Sequence, residues 1–494
     1  MSETNAETEN KEESKKAPEI EEKSHSVSRS GKFGKVKVDY TATAATQVIG
    51  EDDHEKRAVF FYVSYVKEGA DPKERPLLFA FNGGPGSSTV WLHLGLLGPK
   101  KVEMDQDGMY PVGRGQLVDN PRSILDVADV VAVDAIGTGF STASPKDSAK
   151  EYHKFKDDIE AFAEFIVRYV NRNGRWSSPL YIMGESYGTT RGVGVAHELF
   201  TRHGTALAGL ILVSSVLNFQ TIAMESNTLA FHPGNELPYL THLPTYAATA
   251  WYHGVLDKPY SSMELRKFLD EVEEFALGEY WTALAKGDRL SDEEFSSVAS
   301  KLSAYTGLSE DYVRRYRLRI HIMRFCKELL RSQERTVGRI DSRYTGIDRF
   351  VDGANMEADP SMDATNAPFT AALNDYLRND IGFRHESLYE ILSEEVWKNW
   401  KYEGWDGRYV DVSEKLRDLL SRERGVKVLV ANGYYDLATP HFGTEYTFGH
   451  LGIDPSIRDR ISMEYYEAGH MMYVHPDSLD AMSGHVREFI RDTA

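Results

Sequence analysis

Four times along this chain a short apolar run ends abruptly in glycine or in a small polar turn. The segments are "PLLFAFNGGPGSS", "VADVVAVDAIGTG", "PLYIMGESYGTTRG" and "VKVLVANGYYD". Runs of this kind are too short for helices and apolar on both faces, so they read as strands buried on both sides. An amphipathic stretch from Asp147 to Asn171, with Ile159, Phe162, Phe165 and Ile166 at helical spacing, separates the second from the third. Buried strands alternating with helices predict an α/β class, with a mostly parallel sheet covered on both faces. Upstream, "KVKVDYTATAATQVI" and "RAVFFYVSYVKEG", joined by the polar "GEDDHEKR", read as an antiparallel pair at the sheet edge.

From Leu217 to Glu395 the strand grammar lapses. "SSMELRKFLDEVEEFALGEYWTALAKG" and "SDEEFSSVASKLSAYTG" are helical, the second opening on a Ser291–Glu294 capping box. The strand pattern resumes at "VKVLVANGYYD" and "ISMEYYEAGH", and "LDAMSGHVREFIRDT" closes the chain as a helix. The predicted organisation is a polar, disordered tail over 1–31, a first core segment over 32–216, a mainly helical lid insertion over 217–395, and a second core segment over 396–494. With 494 residues, 41% of them hydrophobic, there is material for one large core plus such an insertion.

Gly184-Glu185-Ser186-Tyr187-Gly188 follows the apolar "LYIM" and precedes a helical pattern. This spacing suits a sharp strand-to-helix turn that lifts a serine hydroxyl above the sheet, with small residues on either side letting the backbone pass. A nucleophilic serine needs a base, and the base an orienting acid. In the α/β-hydrolase fold the chain order is Ser, then acid, then His. Asp436 lies just past "VKVLVANG" and His470 just past the next strand-like segment. Asp134 also ends a strand, but it precedes the serine. His475 is followed by Pro476 at the start of the last helix, which favours His470 as the base. Two N–H donors suit a developing oxyanion: that of Tyr187, and one from the loop Asn82–Ser88, with Gly84 the best placed. Loss of one such donor typically costs roughly 3–4 kcal/mol in the transition state.

The motifs "NGGPGSS", "GTGFS", "GESYG" and "AGHM", in this order, resemble those of the serine carboxypeptidases, peptidase family S10. The resemblance spans about residues 80 to 475 and implies an α/β-hydrolase that releases residues from the C-terminus of peptides through an acyl-enzyme on Ser186. It implies Ser186, Asp436 and His470 as triad and the N–H groups of Gly84 and Tyr187 as oxyanion hole. It further implies Asn82, the N–H of Gly83 and the side chain of Glu185 as the binding site for the substrate's terminal carboxylate. An esterase or acyltransferase on the same scaffold is the alternative.

The chain departs from fungal and plant members in several places. Leu96 stands where they carry a second Glu, Ser87 where they carry a Cys, and Ala80 where they carry a Trp. Their disulfides have no counterpart, since Cys326 is the single cysteine. In this the chain is similar to bacterial-type members.

The net charge of −19 speaks against nucleic acid or an anionic membrane as partner. Peptides with a free C-terminus are the expected substrates, and the oligomeric state is not legible. One cysteine and an N-terminus without an apolar leader predict a cytoplasmic location. The histidines show no paired ligand spacing, so neither metal nor cofactor is expected. Cys326, in "IHIMRFCKELL", reads as a packing residue. Arg339, Asp341 and Arg343, in the Gly-bounded "GRIDSRYTG", read as a salt-bridged turn, and "WKNWKYEGW" as packing between insertion and core.

Overall fold

The computed structural model describes residues 22–50, 57–105, 107–144, 146–224, 234–405 and 408–494. Its centre is a ten-stranded sheet. In chain order the strands are β1 (Ser24–Phe33), β2 (Val36–Ile49), β3 (Arg57–Lys67), β4 (Leu77–Phe81), β5 (Asp129–Val133), β6 (Thr142–Ser144), β7 (Leu180–Glu185), β8 (Gly209–Val213), β9 (Lys427–Gly433) and β10 (Ile461–Tyr466). Across the sheet the order is β1-β2-β3-β5-β4-β7-β8-β9-β10, with β6 paired to one end of β3. From β5 to β10 every pairing is parallel, while β1, β2 and β3 run antiparallel to their neighbours.

Alternation along the central strands sends successive side chains to two separate cores. Leu77, Phe79 and Phe81 of β4, with Leu180 and Ile182 of β7, pack against the helices Phe155–Arg172 and Tyr187–His203. Leu78 and Ala80, with Tyr181 and Met183, face the opposite side, where the C-terminal helix Pro476–Arg491 lies. Both faces are thus buried, as the unbroken apolar runs require.

The structure moves two boundaries. Residues 1–21 of the expected tail lie outside the described residues, but residues 24–31 belong to edge strand β1, paired along β2 from Ser24↔Ala45 to Phe33↔Val36. The run "SHSVSRSGKF" buries little beyond Phe33 and part of Val27, so backbone pairing rather than an apolar pattern makes it a strand. The first long helix begins at Phe155 rather than near Asp147, because the preceding segment is tied elsewhere: Phe155 N–H donates to the Lys401 carbonyl at 3.0 Å.

The insertion has two parts with different attachments. Helices Leu237–Tyr252, Leu265–Phe275, Asp292–Thr306 and Ile322–Glu328 enclose a third core of their own, which includes Phe268, Leu302, Phe325 and Cys326. This core reaches the sheet domain through Tyr434, Tyr435, Leu437 and Phe442. Ser291 and Glu294 form the capping box, and Gly307 ends that helix at φ +69°. Later residues of the insertion, among them Phe369, Tyr376 and Phe383, pack instead into the core beside the C-terminal helix. Among the described residues no helix is long and apolar enough to cross a membrane.

Candidate active site

Ser186 sits between the end of β7 and the start of helix Tyr187–His203, with φ 60° and ψ −129°. A non-glycine residue at such angles is strained and needs neighbours that enforce it. The neighbours here are glycines pressed against backbone. A Cβ on Gly184 would lie 2.0 Å from the Gly188 carbonyl oxygen, and one on Gly188 would lie 2.7 Å from that of Phe81. Ser186 N–H donates to the Val213 carbonyl at 3.0 Å, which ties the turn to β8. The serine remains partly exposed while its flanks are buried.

Asp436 follows β9 in a loop that satisfies its carboxylate from several sides. Oδ1 accepts from the N–H groups of Ala438 (2.8 Å) and Thr439 (3.0 Å), and Oδ2 from the Thr439 hydroxyl at 2.7 Å. His470 Nδ1 lies 2.7 Å from the same Oδ2. Burial pushes the Asp436 carboxyl up, but the imidazole and these donors outweigh it and hold the group below its ordinary value. Burial pushes His470 down, yet the charge and hydrogen bond of Asp436 keep it above its ordinary value. A fully buried acid bonded to Nδ1 leaves Nε2 as the nitrogen free for proton transfer.

The imidazole loop is anchored at three more points. The Ser214 hydroxyl donates to the His470 carbonyl at 2.7 Å, and His470 N–H donates to the Ile340 carbonyl at 2.8 Å. Gly469 N–H donates to Asp341 Oδ2 at 3.1 Å. Since Ser214 directly follows Val213, one two-residue stretch at the end of β8 links the serine turn to the imidazole loop.

The segment Gly338–Gly346 is more than a salt-bridged turn. Asp341 does hold Arg343, Oδ2 to Nη2 at 2.7 Å, with both side chains buried. The same segment also takes Leu437 N–H on the Arg339 carbonyl (3.1 Å), while Ser342 N–H donates to the Tyr435 carbonyl (3.0 Å). It therefore clamps the acid loop and the imidazole loop together. The Arg339 side chain is half-buried, and its guanidinium has no hydrogen-bond or ion-pair partner among the described residues, though its charge acts on His470.

The glycine-rich loop lies directly against the serine turn. A Cβ on Gly83 would stand 2.5 Å from the Tyr187 nitrogen and 2.6 Å from the Glu185 carbonyl oxygen. Gly84 follows at φ +103°, exposed to solvent. Among the described residues neither Gly84 N–H nor Tyr187 N–H has an acceptor. Asp134, set aside as the triad acid, fixes this loop from behind: it accepts from Thr89 N–H (2.7 Å) and the Tyr389 hydroxyl (2.6 Å), and burial pushes its carboxyl up to about 7.

Asn82 Nδ2 donates to Glu185 Oε1 at 2.8 Å. Both residues are buried, and burial lifts the Glu185 carboxyl to about 7, against the lowering influence of His470. A carboxyl poised there carries a proton readily at neutral pH, which a group meeting another carboxylate requires. Leu96 is fully buried and apolar, so this position supplies no second acid beside Glu185.

One supporting residue carries no signal in the sequence. Arg191, fully buried, pairs with Asp158 at 2.7 Å and donates from Nη1 to the Asn82 carbonyl at 2.8 Å, while its guanidinium stacks on Phe162 and Tyr187. It reads as an ordinary helix residue until Asp158, from another helix, is seen beside it. Trp400 and Tyr402 pack on Tyr187 of the first core segment, and Tyr402 also on Phe219 at the start of the insertion. Cys326 is fully buried and its thiol is pushed far up by burial.

Glu273, His441 and Glu445 place one ligand atom each within 4.8 Å of one another. Arg266 Nη2 already lies 2.7 Å from Glu273 Oε1, and Tyr465 donates to Glu445 at 2.8 Å. The cluster thus has the residue types of a metal site but is occupied by its own cation, and it joins the insertion to the helix that follows Asp436.

Comparisons with known proteins identify relatives of this chain. Residues 43–471 match the family model described as serine carboxypeptidase. The chain is 32% identical over 147 residues to serine carboxypeptidase-like 5 of Arabidopsis thaliana, covering 29% of this chain and 31% of that one. It is 24% identical over 225 residues to serine carboxypeptidase-like 10 of the same plant, covering 44% and 46%. The matched stretches thus span less than half the length of these curated relatives. In fold, the chain is similar to Kex1(Δ)p, a prohormone-processing carboxypeptidase from Saccharomyces cerevisiae, with a TM-score of 0.54, 16% identity and 91% and 92% of the two chains covered. With a family match over most of its length, on an α/β-hydrolase sheet, the chain belongs to the serine carboxypeptidase family.

Proposed function

We propose that this protein is a serine-type carboxypeptidase that removes residues from the free C-terminus of peptides. The observation that carries the reading is the Asn82–Glu185 pair, a buried carboxyl lifted to about 7 at the residue before the proposed nucleophile and close to the Asp436–His470 dyad. A terminal carboxylate meeting such a pair shares the Glu185 proton instead of being repelled. Gly83 follows Asn82 in the chain and packs against the Glu185 backbone, and its N–H completes the set.

Ser186 Oγ attacks the last peptide carbonyl as its proton passes to His470, which Asp436 orients. The Gly84 and Tyr187 N–H groups receive the oxyanion. The leaving amine takes the proton from His470. Water then attacks the acyl-enzyme, giving its proton to His470, which passes it to Ser186 Oγ as the shortened peptide leaves.

Two measurements test this reading. A fluorophosphonate probe should label the protein, and Ser186→Ala should abolish both labelling and hydrolysis. Mass spectrometry of a peptide and its C-terminal amide should show ladders shortening from the C-terminus for the free acid and far slower turnover of the amide. Equal rates, or ester hydrolysis without peptide cleavage, favour an esterase or acyltransferase instead.

A further inference from the structure

Two buried oxygen atoms at the site make no well-aligned hydrogen bond: Glu185 Oε2 and the hydroxyl of Tyr473. Tyr473 lies on the short turn Met472–Val474, just past His470, and its side chain is almost wholly enclosed. Its ring is seated over Gly95, where a Cβ would lie 2.4 Å from Tyr473 Cδ2, so the ring position depends on that glycine. The hydroxyl stands near both Glu185 and Asn82 and interacts with each, lowering the Glu185 carboxyl, but forms no well-aligned hydrogen bond to either. Asn82 has already committed Nδ2 to Glu185 and Oδ1 to Leu92 N–H (3.0 Å). Buried polar atoms left open in this way are costly unless something else completes them. A donor and a carboxyl oxygen, both incompletely bonded next to the nucleophile turn, have the chemistry to bind a group with two oxygens.

Resting on the carboxypeptidase reading, we propose that Tyr473 is a specificity-determining residue whose hydroxyl donates a hydrogen bond to the substrate's terminal carboxylate, alongside Asn82 and protonated Glu185. The Leu96 position is apolar and fully buried, so it offers no donor, and the phenol of Tyr473 supplies one beside Glu185. A phenol differs from a second acid in one useful respect. Burial holds its proton far above the working range, so it stays a neutral donor when Glu185 ionises. The groups acting on Glu185 are His470, Tyr473, Asp436 and Asn82, and of the two acids proposed to bind the carboxylate only Glu185 titrates near neutral pH.

The test is Tyr473→Phe, which keeps the ring over Gly95 and removes only the hydroxyl. For a peptide with a free C-terminus, KM should rise roughly ten- to a hundredfold, the range of one hydrogen bond to a charged group. The loss should be confined to that substrate, with kcat/KM for a matching peptide ester shared by variant and wild type. The alkaline limb of the peptide profile should also move to higher pH, because the hydroxyl no longer favours ionised Glu185. Equal KM values for the peptide, or equal losses on peptide and ester, would overturn the assignment while leaving the carboxypeptidase reading intact. If wild type itself turns over acid and amide alike, that reading fails and Tyr473 loses its role with it.

Discussion

The Ser214 hydroxyl donates to the carbonyl oxygen of His470 at 2.7 Å, while the residue before Ser214 accepts from the N–H of Ser186. Strand β8 thus holds the proposed nucleophile and the proposed base from one point. Ser214→Ala should loosen only the imidazole loop. A lost neutral hydrogen bond of about 0.5–1.5 kcal/mol predicts a kcat reduced up to about tenfold with KM nearly unchanged. Equal effects on kcat and KM in steady-state kinetics would show that Ser214 does something else.

The glycines of the serine turn are a steric requirement. Gly184→Ala places a methyl group where the Gly188 carbonyl oxygen already lies, 2.0 Å away. Overpacking of this kind costs about 1–3 kcal/mol or more and displaces the turn. The variant should lose fluorophosphonate labelling even where circular dichroism shows a folded chain. Normal labelling would mean that the turn tolerates the shift.

Asp341 and Arg343 form a buried pair whose acid also holds Gly469. Asp341→Ala strands an enclosed guanidinium and should destabilise the protein by about 3–5 kcal/mol. Adding Arg343→Met should recover much of that stability in denaturant titrations but not the activity, since Gly469 N–H still lacks its acceptor. A double variant as unstable as the single one would place the energetic loss elsewhere.

The pH profile should be a narrow bell. Burial lifts Glu185 to about 7, so its proton, and with it peptide binding, is lost as pH rises through that value. His470 is held above its ordinary value, so the neutral base is lost as pH falls through a point higher than for a free imidazole. An ester without a terminal carboxylate should lack the alkaline limb, and Glu185→Gln should flatten it for peptides. Arg339 opposes the His470 proton, so Arg339→Gln should move the acid limb to higher pH. Coincident peptide and ester profiles on the alkaline side, unchanged in Glu185→Gln, would remove Glu185 from carboxylate binding.

Ser186, Asp436 and His470 are legible as candidates in the sequence because the first two lie just past apolar strands and the third past a strand-like segment, and the fold's chain order does the rest. Asn82 and Glu185 are legible because they flank the same glycine-marked turns. The supports are not. Arg191 meets Asp158 and the Asn82 carbonyl, Asp341 meets Gly469, and Tyr473 meets Gly95, all across long stretches of chain where no periodicity pairs them. Edge strand β1 escapes notice for a related reason: its order comes from the backbone ladder with β2, and its serines advertise a polar tail.

The segment from Gly338 to Gly346 sets a limit on how this scaffold can diversify. A cover that merely shaded the cleft could be traded for another, and substrate range would change by grafting. Here the insertion supplies the Ile340 and Arg339 carbonyls and the Asp341 carboxylate that keep two loops of the sheet domain in register. A transplanted insertion that lacks this ribbon should therefore yield a folded but silent chimera. New specificities are more readily reached by changing the helices upstream of Thr336 and leaving the ribbon as it is.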